Sequence, residues 1–254
     1  MSSCGAKLTK VGIYGYGRFG SFLAKEMSRS FDVIVTDINM TNIDQKQESI
    51  TYLLENEFFL TDFDIVVFAN SINSFECVIE KIGKINPSFW TGKLITDVLS
   101  VKEFVLDVMN ISLPPNTEIM LTHPMFGPDS VYEVKKLVYY PVNIINVDRV
   151  NVFIDFWRSI GCDLIHMSPE EHDKQASRSQ LITHFIGRIL NELQLQPSNI
   201  DTFSFQSLLK IMNTTCNDSK ELFLGLARKN KNTRKMIDDL KLALSKIESE
   251  IFNY

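Results

Sequence analysis

The chain has 254 residues, 44% of them hydrophobic and 22% charged, and a formal net charge of −5. That length bounds it to one large or two smaller domains with a real core, and the composition is that of an ordinary globular protein. The acidic balance supplies no global basic field, which argues against nucleic acid or an anionic membrane as a partner. The four cysteines, Cys4, Cys77, Cys162 and Cys216, are scattered without a CxxC pair. Free thiols in a reducing compartment are therefore expected, with no disulfide frame and no metal site. The opening MSSCGAKLTK lacks the apolar centre of a signal peptide, and no apolar run is long enough to span a bilayer. The expected location is the cytoplasm, or that of a mature form stripped of a transit peptide.

In chain order, KVGIYGYG (10–17), DVIVTD (32–37), DIVVFAN (64–70), KLITDV (93–98) and TEIMLTH (117–123) are β-branched, nearly unbroken apolar runs. Strands buried on both faces of a parallel sheet read this way. Helical patterns lie between several of them, as in RFGSFLAKEMSRS (18–30) and SFECVIEKIGKI (74–85). Two more runs, LVYYPVNIINV (137–147) and CDLIHMS (162–168), extend the same pattern. The expectation is an α/β, Rossmann-type, mostly parallel sheet domain over 1–168.

After Ser168 the strands stop. Ile182, Phe185, Ile186, Ile189, Leu190 and Leu193 form one apolar stripe of a helix over 170–194. Gln180, His184 and Arg188, at i, i+4 and i+8, form a polar stripe roughly opposite. QPSN (196–199) breaks that helix, and further helical stretches follow near 202–228 and 232–252. An all-helical substrate and dimerisation domain over 169–254 is expected, with a homodimer as the default assembly. The basic run RKNKNTRK (228–235) reads as a solvated turn between helices.

Gly15, Gly17 and Gly20 have GxGxxG spacing, directly after an apolar strand and opening an amphipathic helix. In that context the first glycine permits a tight turn, the second lets backbone approach a pyrophosphate, and the third allows close helix–strand packing. Tyr16, Arg18, Phe19 and Ser71 are further candidate cofactor contacts. Asp37, 22 residues after Gly15, ends the second strand. A carboxylate there accepts from a ribose diol and repels a 2′-phosphate, which favours NAD over NADP, although the Arg18 charge could serve an extra phosphate.

Ser100 follows the strand that contains Thr96 and Asp97, and His123 sits one strand later in THPMFGPDS (122–130). Taken alone, a histidine before a proline reads as a buried residue of a tight turn. Both residues, however, fall at carboxyl ends of strands, where open α/β sheets bind ligands. A serine and a histidine beside a nicotinamide suit alcohol oxidation, in which a base near neutral pKa accepts the hydroxyl proton.

DVLSVKEF, THPMFGPDS, EEHDKQASRSQLITHFIGRIL and NDSKELFLGL together resemble the arogenate/prephenate dehydrogenases of tyrosine biosynthesis, and most closely the plant-type arogenate dehydrogenases. The resemblance runs from the glycine motif to about residue 230. It implies oxidative decarboxylation of a cyclohexadienol to a phenol, with His123 engaging the ring hydroxyl and Ser100 bonding the same region. It implies that Gln180, Thr183 and His184 wall the substrate cleft, and leaves Arg188 between cleft and solvent face. His172 matches the family pattern in a structural role, and His166 matches nothing functional. Asp218 occupies the position where arogenate-preferring members pair an acid with the substrate ammonium. An unpaired carboxylate facing the keto acid of prephenate is unfavourable, so that charge discriminates in both directions.

Two features depart from the family. Plant-type members usually prefer NADP and lack an acid at the end of the second strand, and the arginine of prephenate-using members has no match near IMNTTCNDS. Prephenate therefore remains the alternative substrate. A different Rossmann reductase, acting on 3-hydroxy acids or imines, would need a catalytic residue such as Lys174. A non-catalytic NAD sensor would not need Ser100, His123 and His184 together.

Overall fold

The computed structural model of the chain describes residues 9–40, 47–128 and 134–252. Cys4, Asp129 and Ser130 lie outside the described residues. The chain divides into two compact units, Met1–Pro169 and Glu170–Tyr254.

In the first unit the described strands are β1 (Lys10–Tyr14), β2 (Asp32–Thr36), β3 (Ile50–Tyr52), β4 (Ile65–Phe68), β5 (Leu94–Asp97), β6 (Glu118–Pro124), β7 (Lys135–Val142) and β8 (Cys162–His166). They form one sheet in the order β3-β2-β1-β4-β5-β6-β7-β8. The strands from β1 to β6 pair in parallel, β7 runs antiparallel to β6, and β8 is parallel to β7. The helices are α1 (Arg18–Met27), α2 (Glu55–Phe58), α3 (Ile72–Ile85), α4 (Lys102–Ser112) and α5 (Val147–Ser159).

Alternation along β1 explains both layers around the sheet. Val11 and Ile13 join a buried cluster with Leu23, Ala24 and Met27 of α1 and Phe153 and Trp157 of α5. Each of the Val, Ile, Leu, Met and Phe side chains among them contributes about 1.5–3 kcal/mol on full burial. Gly12 and Tyr14 belong to an aromatic layer, where Tyr14 stacks on Phe59 at 6.0 Å and Phe58 meets Phe63 at 4.7 Å. A Cβ on Gly12 would lie 2.8 Å from the Phe58 ring, so only glycine admits that layer.

Three sequence expectations change here. The run at 137–147 does extend the sheet, but reversed, and its last residue already opens α5. Pro124 stays in β6 opposite Leu137, because the next inter-strand bond comes from Met125 N–H to the Lys136 carbonyl at 2.8 Å. The second strand ends at Thr36, and Asp37 follows it.

The second unit contains α6 (Pro169–Ala176), a π-helical turn (Ser177–Leu181), α7 (Ile182–Glu192), α8 (Phe203–Asn217), α9 (Lys220–Lys229) and α10 (Thr233–Phe252). The helix expected over 170–194 is thus interrupted by the π turn. The stretch 202–228 divides at Asp218–Ser219, because the Ser219 hydroxyl accepts from Leu222 N–H at 3.1 Å and starts α9 afresh. The basic run caps α9 and opens α10, with Arg234 and Lys235 paired to Asp238 and Asp239 one turn on.

The stripes of α7 are the main surprise. The residues of α7 that are buried are His184 and Gly187, whereas Ile189 is 47% and Leu193 64% exposed. His184 of the polar stripe is buried, while Gln180 and Arg188 are half-buried, as are Ile182, Phe185, Ile186 and Leu190 of the apolar one. Gly187 explains the contact: an added Cβ would collide with Thr215 Oγ1 of α8, so α7 and α8 approach closely only with glycine there.

Candidate active site

The strand order reverses direction between β1 and β4, which makes a crevice at their carboxyl ends. Gly15 turns there with φ +105, a conformation that favours glycine, and donates its N–H to the Thr36 carbonyl at 2.8 Å. A Cβ on Gly20 would collide with the Gly15 carbonyl, so helix α1 packs against its own loop. Gly17 is different. It is exposed, has open space where a Cβ would stand, and caps α1 without a side-chain hydrogen bond. The first-turn amides of α1 are therefore presented for an anion.

The other nucleotide candidates fall around this loop with different tasks. Arg18 is exposed at the first position of α1, and Ser71 caps α3, its hydroxyl accepting from Asn73 N–H at 3.3 Å. Phe19 packs on Phe22 and on Phe126 at 5.9 Å, which ties α1 to the turn after His123. The Tyr16 hydroxyl lies 3.0 Å from that of Tyr52, and burial raises its pKa. Asp37 is half-buried. Its carboxylate accepts from Tyr16 N–H at 2.7 Å and from Asn39 N–H at 3.0 Å, so it also fixes the shape of the glycine loop.

Next to Asp37 opens a cavity of about 310 Å³, lined by Ile38, Leu54 and Phe59 together with Glu55 and Lys81. Lys81 donates to Glu55 at 2.6 Å, and the Tyr14 hydroxyl donates to the same carboxylate. An apolar wall with a few polar groups beside the Asp37 carboxylate has the chemistry to take an adenosine. Sequence reading missed these residues, because Glu55 and Lys81 lie on different helices and meet only in the fold.

Ser100 lies in the bend between β5 and α4, and His123 is the penultimate residue of β6, the neighbouring strand. Both occupy the carboxyl edge of the sheet. His123 is buried, and Ser100 is half-buried.

In the second unit, Gln180 sits in the π turn and His184 and Arg188 follow on α7. Such turns frequently mark functional sites. Gln180 Oε1, His184 Nδ1 and Arg188 Nε are buried polar atoms without a hydrogen-bond partner. A buried group left unsatisfied costs about 1–3 kcal/mol, and here three stand in a row on one helix face. Thr183 is exposed, and its hydroxyl bonds back to the Ser179 carbonyl at 2.8 Å.

His184 Nε2 is 3.8 Å from Asp218 Oδ2, and its ring stacks on Phe223. Burial pushes its pKa below the ordinary 6.5, opposed by the Asp218 carboxylate and reinforced by the Arg188 cation. Arg188 donates to the carbonyls of Thr215, Asp218 and Ser219, the closest at 3.1 Å, with its guanidinium 4.6 Å from the centre of the Phe223 ring. It clamps the loop that bears Asp218. His172 pairs with Asp173 at 2.7 Å inside this unit, and Lys174 points outward beside Glu171. His166 lies against Tyr139 and Tyr140 on β8.

Residues 20–166 match the family model described as prephenate dehydrogenase, nucleotide-binding domain. Residues 189–254 match one described as TYRAAT1-like, C-terminal domain. Arogenate dehydrogenase 2, chloroplastic, of Arabidopsis thaliana is 32% identical over 252 residues, covering 96% of this chain and 70% of that protein. The chain belongs to the arogenate/prephenate dehydrogenase family. Arogenate dehydrogenase 1, chloroplastic, of the same plant is 33% identical over 252 residues, and there the chain spans 39% of the relative's length. Among solved structures, prephenate dehydrogenase of Aquifex aeolicus with hydroxyphenyl propionate and NAD+ superposes with a TM-score of 0.76 at 21% identity, covering 98% of this chain and 92% of that one. Arogenate dehydrogenase of Synechocystis gives 0.71 at 15% identity, covering 96% and 92%. These two share the fold, a Rossmann-type sheet followed by helices.

Proposed function

We propose that this dehydrogenase-family chain converts arogenate to tyrosine by oxidative decarboxylation with NAD. Nicotinamide adenine dinucleotide, when bound, supplies the hydride acceptor. Gly15, Gly17 and Gly20 with the start of α1 hold its pyrophosphate, and Asp37 and the adjoining cavity take the adenosine. His123 accepts the proton of the ring 4-hydroxyl as hydride leaves the same carbon, and Ser100 hydrogen-bonds that hydroxyl. The opposite ring position releases its carboxylate as CO2, and the bonding pair left behind enters the ring, which becomes aromatic.

The observation that carries the reading is the row of orphaned buried atoms on Gln180, His184 and Arg188, with Asp218 beside it. Those atoms call for a polar ligand. Asp218 favours one with an ammonium, because burial lowers the pKa of His184 and leaves the imidazole neutral near pH 7, so the ring brings no cation of its own to the carboxylate. Prephenate, which lacks the ammonium, is the second reading. It takes precedence if Asp218 does not select.

The two carboxylates are tested together by following reduced-nicotinamide absorbance with arogenate or prephenate against NAD or NADP. Arogenate with NAD is the expected pair. Preference for prephenate would retire Asp218 as selector, and preference for NADP would retire Asp37. Silence with all four pairs despite nucleotide binding would favour a sensor.

The same proposal includes a homodimer formed through the second unit. Ile189 of α7, Leu193 just after it, and Leu244, Ile247 and Ile251 of α10 are exposed apolar side chains. Only Met236 of the 20-residue α10 is buried, whereas most helical stability in proteins comes from packing an amphipathic face. No described helix is long and apolar enough to cross a membrane. The free thiols of Cys77, Cys162 and Cys216 support a reducing compartment such as the cytoplasm.

A further inference from the structure

Asp97 ends β5 and Lys102 opens α4, and their buried side chains form an ion pair. Two general rules weigh against this pair. Removing both charges from water often costs more than packing an apolar pair of the same volume. A lysine at the first position of a helix also sets a cation at the positive end of the dipole. The fold accepts both penalties at the strand edge that carries Ser100 and His123.

The hydrogen bonds say what the pair accomplishes. The parallel ladder between β5 and β6 stops at Thr96 and Met120, two residues before Thr122. From there side chains replace it. Asp97 accepts from Leu99 N–H at 2.9 Å and from Thr122 N–H at 3.3 Å, and its own carbonyl accepts the Thr122 hydroxyl. Lys102 Nζ donates to the Thr122 carbonyl at 2.6 Å. One end of this network spans 97–102, the segment with Ser100 at its centre. The other end is Thr122, the residue covalently before His123.

We infer that Lys102, acting with Asp97, is a positioning residue that locks the Ser100 bend and the His123 strand end into one register. Its buried ammonium is held by Asp97 and the Thr122 carbonyl, and through them it fixes the two groups that meet the hydroxyl. This rests on the activity proposed above. Reacting groups displaced by about 1 Å lose on the order of 100-fold in rate, so a small register shift is enough to be seen.

The test uses the full chain carrying Asp97→Asn and Lys102→Met together, which removes both charges and keeps side-chain bulk. Melting temperature, nucleotide affinity, and kcat and KM for arogenate are measured. The expected result is a folded protein with nucleotide affinity within about 2-fold of wild type and KM within about 3-fold, but kcat lower by about 50-fold or more. In parallel, the rate at which diethyl pyrocarbonate modifies His123 is read by mass spectrometry. It should rise at least about 5-fold as the ring loses its fixed setting. Unchanged kcat and modification rate in a folded variant would overturn the inference. So would a fall in kcat, nucleotide affinity and melting temperature together, the mark of a purely structural pair.

Lys102→Arg guards against a misfolded double variant, because it keeps the charge and alters the reach. Lower kcat with a wild-type melting temperature supports positioning, and wild-type kcat, or failure of both variants to fold, rejects it. If the wild-type protein turns over no substrate, the activity proposal fails, and the modification rate still decides whether the pair holds His123.

Discussion

His184 and Asp218 sit on opposite sides of a narrow gap, Nε2 to Oδ2 at 3.8 Å, while Nδ1 of the same imidazole is buried without a partner. The distance exceeds an ordinary hydrogen bond, so the carboxylate opposes the cost of burial only in part, and burial prevails. The consequence is a histidine that resists protonation inside the folded protein.

Stability should therefore fall in mild acid. An unfolded chain takes up the proton near pH 6.5, whereas the folded chain does so only at lower pH. Between those two values the unfolded state binds more protons, so stability rises with pH through that window and is lost as pH falls below about 6.5. Urea midpoints of wild type and His184→Asn, compared from pH 7.5 to 5.5, isolate this contribution from the carboxylates. A shallower pH slope in the variant is expected, and identical slopes would show that His184 does not titrate as described.

The same neutral imidazole leaves Asp218 to choose between an amino acid and a keto acid. Asp218→Asn removes the charge and keeps the shape of the loop clamped by Arg188. A hydrogen bond between charged groups is worth about 1.5–3 kcal/mol, which corresponds to about 10–100-fold in affinity. KM for arogenate should rise by that factor while prephenate becomes a better substrate. If the ratio of kcat/KM for the two substrates stays constant, another residue selects.

How far the sequence reaches is clearest when these residues are compared. The glycine loop, the buried strands and the His123 edge follow from short-range patterns, since a buried strand needs apolar residues wherever it sits. The direction of β7 leaves no such mark, because an apolar run reads the same whether the strand runs up or down. The π turn at Ser177–Leu181 is equally silent: it adds one residue to a helical turn, and its cost is offset by tertiary contacts. Burial of His184 on α7 could not be read, because periodicity identifies a helix face but not what covers it. The Asp97–Lys102 pair spans a strand end, a bend and a helix start, three local geometries with no shared period.

Gly187 makes a separate prediction about how the second unit holds its site. An added methyl would collide with Thr215 Oγ1, and backbone hydrogen bonds on both helices limit relaxation. Gly187→Ala should destabilise the protein by about 1–3 kcal/mol, as overpacked cores do. Adding Thr215→Ala removes the colliding hydroxyl and should recover most of that loss in denaturant titrations. A fully stable single variant would mean that α7 and α8 separate readily, and the gap between His184 and Asp218 would then not be fixed by their packing.

The exposed stripe on α10 tests the dimer. Leu244, Ile247 and Ile251 repeat at i, i+3 and i+7, the spacing of one helix face, yet all three are exposed. Three apolar side chains on a solvated helix gain nothing by lying together, whereas a second copy would bury them. Leu244→Asp with Ile247→Asp places two charges on that face without touching any group assigned to substrate or nucleotide. Light scattering should report a dimer for wild type and a monomer for the double variant. Nucleotide affinity should persist in the monomer, because the glycine loop and Asp37 belong to the first unit. A wild-type monomer, or a double variant that remains dimeric, would remove α10 from the interface.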